Sequence, residues 1–222
     1  MYTYAFVLNV AQPLDLPEGI WGSLELVCLN RLAALVEPNL SAAALHRSDR
    51  QLMQAVLSHD RVIQEVFQQT TVLPLRFGTY FTSRQGLLDH LRSHQAKYLN
   101  KLTSLQGKAE YVLKLVPTAF SEPTIAAEMP RQASALDKKQ MDQKQENWQQ
   151  QQQTELQSLL SLISEHYPET VRGEATEGIE RIYLLSAQQQ RPQLLAHLQK
   201  WQFRFHCWEL SLGENLPPYH FV

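Results

Sequence analysis

The sequence lacks the features that would assign it to several large functional classes. Its two cysteines, Cys28 and Cys207, lie far apart in strand-like segments, so we expect buried free thiols in a reducing cytosol rather than a disulfide framework. The eight glycines are scattered and form no glycine-rich phosphate-binding loop. No apolar run approaches the roughly 18 residues of a membrane helix, and no basic segment precedes the N-terminal apolar residues as in a signal peptide.

An excess of one charge is also missing. The 222 residues include 20 lysines and arginines and 22 acidic residues, which gives a formal net charge of -2. Bulk charge therefore gives no reason to expect binding to nucleic acid or to an anionic membrane. With 44% apolar and 19% charged residues, the composition is typical of a globular protein of one or two domains.

The most unusual stretch runs from Val72 to Phe81, between two amphipathic helical patterns. Proline cannot donate a hydrogen bond to a sheet, so Pro74 makes this apolar run a poor central strand. Gly78 allows the chain to turn where a side chain would clash. Two interpretations are open for Arg76: it binds carbonyl groups inside a buried connector, or it belongs to a surface presented to a partner.

The N-terminal part predicts a small sheet with two helices, which is an α+β domain. Strands are predicted over residues 2–10, 24–29 and 32–36 from their apolar patterns. The first helix begins at a capping box formed by Ser48 and Gln51. Its predicted buried stripe consists of Leu52, Met53, Val56, Leu57, Ile63, Val66 and Phe67.

The second helix is expected to begin at a capping box formed by Thr82 and Gln85. Leucines recur along one face of it, and Gly107 stands where a glycine often ends a helix. We therefore predict that the N-terminal α+β domain covers residues 1–107.

From Ala109 onward the patterns follow the order β-α-β-β-α-β, which is that of a ferredoxin-like domain. The predicted strands are 109–116, 170–175, 179–186 and 203–212, and the predicted helices are 134–166 and 191–201. The ferredoxin-like domain is assigned to residues 108–212 and a C-terminal tail to residues 213–222. The tail contains Pro217, Pro218, Tyr219 and Phe221, so we expect it to dock onto the first domain.

No group of reactive residues makes a convincing active site. His90 and His94 share a helix face, but no third metal ligand accompanies them, and a solvated pair is the simpler interpretation. His59 and Asp60 are interpreted as part of a polar helix face. We predict a protein that is not an enzyme, with no catalytic residues, no metal and no cofactor.

Four aromatic residues near the C-terminus suggest an alternative function. Trp201, Phe203, Phe205 and Trp208 could stack on bases if they shared the face of a ferredoxin-like sheet. Few basic residues accompany them, so a place in the core is the preferred interpretation. An RNA- or small-ligand-binding module on this domain is kept as the alternative.

Five segments, taken in order, resemble the gas vesicle protein F/L family. They are the strand that begins at Tyr2, the run from His59 to Val62, the run from Val72 to Thr79, the run from Glu110 to Lys114, and the ending from Pro217 to Val222. Each motif is weak when taken alone. The ordered set covers most of the chain and is more specific.

This resemblance implies a non-enzymatic accessory or minor structural protein that binds the hydrophobic major shell protein during gas vesicle assembly. It also implies contacts with other gas vesicle proteins, possible self-association, and a location at the gas vesicle within the cytoplasm. Neither nucleic acid nor a membrane is expected as a partner. The positions expected to bind a partner or to shape the structure are Pro74, Arg76, Phe77, Gly78, Pro217, Pro218, Tyr219 and Phe221.

Overall fold

The computed structural model of the protein describes residues 1–9, 13–42, 48–120 and 135–222. The chain forms two compact units, one made of Met1–Glu110 with Asn215–Val222 and the other of Tyr111–Glu214. Two four-stranded antiparallel sheets with helices make up this α+β fold, as predicted. The domain boundaries proposed at 107/108 and 212/213 stay predictions.

The first sheet has the strand order β2-β3-β1-β4, and its neighbouring strands are antiparallel. Strand β1 is buried on both faces, as its apolar alternation indicated. The β2–β3 hairpin turns at Asn30, whose positive φ of 54° is a conformation that asparagine tolerates. The strands are β1 (Tyr2–Leu8), β2 (Glu25–Leu29), β3 (Leu32–Glu37) and β4 (Val72–Pro74).

In the described part of this unit, the long helices are α1 (Asp49–Phe67) and α2 (Arg84–Leu105). The Ser48 side chain caps α1, as predicted. The predicted cap of α2 is wrong by one residue, because Ser83 Oγ, and not Thr82, accepts the N–H of Gly86 at 3.0 Å. Gly107 follows the last turn of α2 with a φ of +72°, which suits the end of a helix.

The buried face of α1 differs from the predicted stripe. Met53, Val56 and Leu57 are exposed, whereas Ala55 and His59 are buried. The face of α1 that packs on the sheet includes the small residue Ala55 and the polar residue His59. A stripe predicted from large apolar side chains leaves both of them out. The buried residues of α1 are Ala55, His59, Val62, Ile63, Val66 and Phe67.

The second sheet has the strand order β6-β7-β5-β8, and the predicted β-α-β-β-α-β succession is confirmed. Residues from Leu156 onward supply the buried positions of its long first helix, and the earlier turns are largely exposed. The elements are β5 (Lys108–Pro117), α3 (Ala135–His166), β6 (Thr170–Arg172), β7 (Glu180–Ala187), α4 (Arg191–Arg204) and β8 (Trp208–Leu216).

The prediction that the last strand begins at Phe203 is wrong, because α4 continues to Arg204. The N–H of Phe205 donates to the carbonyl of Trp201 at 2.9 Å, so these two residues lie one helical turn apart and both are buried. Phe203 points away from them and is 84% exposed. Since Trp208 is also buried, the four aromatics do not form an exposed stacking platform.

The two cysteines are free, but they are not both buried as predicted. Cys207 is buried, whereas Cys28 is exposed on β2, which is an edge strand of the first sheet. An edge strand has a neighbour on one side only, so part of its surface stays open to solvent.

Candidate functional site

Strand β4 forms one edge of the first sheet and carries Pro74 as its last residue. The N–H of Leu75 donates to the carbonyl of Tyr4 at 2.9 Å, so the backbone polar groups of alternate residues point towards β1. Pro74 lies between two such positions, where an N–H would point away from the sheet. A proline therefore fits this edge without loss of a ladder hydrogen bond.

After β4 the chain makes a tight turn over residues 76–79. Thr79 donates through both its N–H and its hydroxyl group to the carbonyl of Arg76, at 3.2 and 2.7 Å. Gly78 has a φ of +83° there, a conformation that favours glycine. The turn leaves the Arg76 side chain exposed, and no described residue makes an ion pair with it.

A buried aromatic cluster packs against this turn and hydrogen-bonds to the residue before it. His59 Nδ1 lies 2.8 Å from the Tyr2 hydroxyl oxygen, and Nε2 lies 3.1 Å from the carbonyl oxygen of Leu75. A neutral ring that carries its proton on Nε2 satisfies both contacts. Burial lowers the pKa of His59, which favours that neutral form. The ring of Phe77 contacts those of Tyr2 and His59 edge-on.

The C-terminal tail docks within the first unit through two carboxylates. Tyr219 donates its hydroxyl proton to Asp60 Oδ1. Burial, together with the Asp60 carboxylate, raises the pKa of Tyr219, so the phenol remains a donor. The backbone N–H of His220 donates to Glu110 Oε2 at 2.8 Å, and the ring Nδ1 lies 2.7 Å from Oε1. Pro217 and Pro218 are buried, and Phe221 is half-buried.

A groove of about 720 Å³ lies between the β4 edge and helix α2. Its lining is mostly apolar, and Pro74 and Leu75 belong to it. Two lysines, Lys97 and Lys101, stand one helical turn apart on the α2 side. The remaining lining residues are Phe6, Leu73, Tyr98, Asn100, Ser104 and Val222.

The described residues contain no cluster of three or more histidine, cysteine, aspartate or glutamate side chains that could hold a metal ion. The predicted solvated pair of His90 and His94 is instead partly packed. The two rings stack at 4.4 Å between centroids, and His90 Nε2 lies 2.8 Å from the Tyr98 hydroxyl oxygen. These histidines extend the aromatic surface that also includes Phe6.

All eight predicted site residues lie in the first unit, in the groove, on the turn at residues 76–79 or in the C-terminal tail. Pro74 lines the groove, Arg76 is exposed on the neighbouring turn, and Phe77 and Gly78 shape that turn. In the tail, Tyr219 contacts Asp60, and its neighbour His220 contacts Glu110. Pro217 and Pro218 are buried beside them in sequence, and Phe221 is half-buried.

Sequence reasoning missed the two residues that anchor this arrangement. His59 and Asp60 were assigned to a polar helix face, but His59 is buried and Asp60 binds the tail. Glu110 offered a signal, since it is an acidic residue directly before the apolar run Tyr111–Leu113 of a strand. Its tail partner lies 110 positions away, which no local pattern reveals.

The whole chain, residues 1–222, matches the family model of the gas vesicle synthesis protein GvpL/GvpF. The chain belongs to this family. Its fold is similar to that of the crystal structure of GvpF from Anabaena sp. PCC7120, at 16% identity over 99% of this chain and 94% of that chain, with a TM-score of 0.70. It is also similar to GvpF from Microcystis aeruginosa, at 16% identity over 99% and 97%, with a TM-score of 0.68. No curated protein matches the chain.

Membership of the GvpL/GvpF family places the chain among proteins of gas vesicle synthesis. This confirms the resemblance found in the sequence motifs. The GvpF crystal structures share less than a fifth of their residues with this chain, so they support the fold alone. None of the described helices combines the length and apolarity needed to cross a membrane.

Proposed function

We propose that this protein is a non-enzymatic accessory or minor structural protein that binds the hydrophobic shell protein while gas vesicles assemble within the cytoplasm. The match of all 222 residues to a gas vesicle synthesis family carries this proposal. A shell subunit with an apolar gas-facing surface is prone to aggregate until that surface is covered. A protein with an accessible apolar groove could supply such cover during assembly.

The first unit offers the surface that suits this role. Its groove is lined mostly by apolar residues, and the neighbouring turn presents Arg76 to solvent. Met53 and Leu57 of α1 are each 64% exposed and add apolar area on the same unit. In this proposal Arg76 contacts the partner, whereas Pro74, Phe77, Gly78 and the tail hold the surface in shape.

The first experiment is co-purification of the protein with the shell protein, followed by immunoblotting of washed vesicles before and after collapse. Signal that survives washing and becomes accessible on collapse identifies a built-in component of the inner face. Binding to free shell protein without signal in finished vesicles identifies an assembly chaperone. Absence of both signals contradicts the proposed function.

A pair of arginine variants tests the proposed partner contact. Arg76→Ala should reduce vesicle yield, because it removes an exposed charge beside the groove without disturbing a buried contact. Arg31→Ala is the matched control, since Arg31 is exposed at the β2–β3 turn of the same unit. Equal yields from both variants would argue against a role for Arg76.

A further inference from the structure

The groove between β4 and α2 combines an apolar floor with a basic wall. Leu73, Leu75 and Tyr98 provide apolar surface, and Lys97 and Lys101 provide two positive charges on neighbouring turns of α2. Lysines can cover apolar surface with their methylene stems while the ammonium groups remain in water. A ligand that matches this groove needs apolar groups in the centre and negative charge along one side.

The two lysines are not neutralised by nearby acids. Among the described residues, no carboxylate lies within ion-pair distance of Lys97 or Lys101. The α2 segment from Ser93 to Leu105 contains both lysines and no aspartate or glutamate. The described lining of the groove contains no aspartate or glutamate, so the two lysines outnumber the one carboxylate there, that of the last residue Val222. The wall therefore complements an acidic ligand.

The β4 edge disfavours the addition of a strand as the way to fill the groove. The strand is only three residues long, and Pro74 lacks the N–H that would point outward. A partner strand would thus find few hydrogen-bonding groups at this edge. A helix satisfies its own backbone and needs only an apolar stripe of side chains to enter a groove.

We propose that this groove docks an acidic amphipathic helix from a gas vesicle protein. Apolar side chains of that helix fill the floor, and two carboxylates one turn apart pair with Lys97 and Lys101. The inference rests on the proposed function for the source of the helix. The volume of about 720 Å³ suits a few anchoring side chains rather than a whole protein surface.

The test uses fluorescent peptides tiled across the shell protein and the other vesicle proteins, with binding to the full chain followed by anisotropy. A peptide with an acidic amphipathic pattern should bind, and its affinity should fall with rising salt. The double variant K97E/K101E should weaken that binding by about tenfold or more. Replacing the two acidic residues of the peptide by lysine should restore binding to this variant.

The matched control is K114E/K200E, which makes the same change of net charge at two exposed lysines of the second unit that do not line the groove. It should bind the acidic peptide as the unaltered protein does. K97A/K101A, which adds no repulsion, should give an intermediate loss. Circular dichroism of each variant checks that the fold is retained.

Three outcomes overturn the inference: no acidic amphipathic peptide binds, binding is indifferent to K97E/K101E, or only small apolar molecules bind in the groove. Co-purification of each variant with the shell protein separates this failure from that of the proposed function. If the unaltered protein and K97E/K101E co-purify equally well, shell binding stands and the groove is not its site. If neither the unaltered protein nor K97E/K101E co-purifies with the shell protein while the peptide assay succeeds, the groove is a helix-binding site and the shell protein is not its partner.

Discussion

At the scale of single residues, the first unit buries a carboxylate that organises a loop. Glu37, at the end of β3, is 2% exposed and accepts backbone N–H groups of residues 20–22 at 2.6–2.8 Å, together with the Tyr4 hydroxyl. Such an arrangement satisfies a charge that would be costly to bury alone. It also requires the loop to approach the carboxylate closely.

Gly19 and Gly22 differ sharply in the space around them, which allows a matched test of this loop. A Cβ atom on Gly19 would lie 2.3 Å from Glu37 Oε2 and 2.7 Å from the carbonyl oxygen of Gly22. A Cβ atom on Gly22 would lie 3.7 Å from Glu37 Oε1, an ordinary contact. Gly19→Ala should lower the free energy of unfolding by about 1–3 kcal/mol, and Gly22→Ala by about 0.5 kcal/mol or less, in urea titrations. Equal losses would contradict this account.

His59 should make the stability of the first unit depend on pH. A histidine in the unfolded chain has a pKa of about 6.5. Burial among Tyr2, Tyr4 and Phe77 lowers the pKa of folded His59, although the Leu75 carbonyl and nearby Asp60 oppose this. Below about pH 6.5 the unfolded state therefore binds more protons than the folded state does. As the pH is lowered, the free energy of unfolding falls by up to about 1.4 kcal/mol per pH unit.

His59→Gln removes this titration while keeping a polar side chain at the position. Urea unfolding between about pH 5 and pH 8 should show a shallower loss of stability on acidification for the variant than for the unaltered protein. The other histidines are common to both proteins, so the difference in slope reports His59. Parallel pH profiles would show that His59 does not titrate differently on folding.

At the scale of elements, local patterns predicted the strands and helices well, but not their ends or their buried faces. The β2–β3 hairpin and helix α1 follow from apolar spacing and from the cap at Ser48, whereas the start predicted for α2 is one residue early. The aromatic alternation from Phe203 to Trp208 mimics a strand, yet α4 continues to Arg204, and the N–H of Phe205 closes its last turn onto the carbonyl of Trp201. A short apolar run fits either structure, and only the sheet it packs against decides between them.

The Tyr219 hydroxyl group allows a measurement of how much the docked tail contributes to stability. Tyr219→Phe removes the donor to Asp60 and should lower the free energy of unfolding by about 1.5–3 kcal/mol, because it breaks a hydrogen bond to a carboxylate in a partly buried site. Tyr80→Phe is the control, since its buried hydroxyl has no hydrogen-bond partner among the described residues. The control should be neutral or stabilising, and a comparable loss from both variants would contradict this ranking.

At the scale of the whole molecule, the sequence motifs indicated the family, but they did not reveal how the site is assembled. Periodicity reports which residues face a core within one element. The contacts of Tyr219 with Asp60 and of His220 with Glu110 span 159 and 110 positions, and the groove joins β4 to α2. Such long-range pairs depend on the packed fold, so local reasoning could name Pro74 or Tyr219 but not their partners.

The two free thiols should report on the fold of the molecule as a whole. Cys28 is exposed, so it should react rapidly with a thiol reagent near pH 8. Burial raises the pKa of the Cys207 thiol to about 11, with a smaller contribution from Glu155. Both burial and the scarcity of thiolate should protect Cys207 until the second unit unfolds.

Cys28→Ser leaves Cys207 as the single thiol and makes the measurement specific. Its labelling should be slow in native buffer and should accelerate across the urea transition, where the unfolded thiol regains a pKa of about 8.5. Phe205→Ala in this background should speed native labelling, because it opens a cavity in the core of the same unit. Phe203→Ala, at an exposed position of α4, should leave the labelling rate unchanged. Rapid labelling of Cys207 in the native Cys28→Ser protein would contradict the buried position of that thiol.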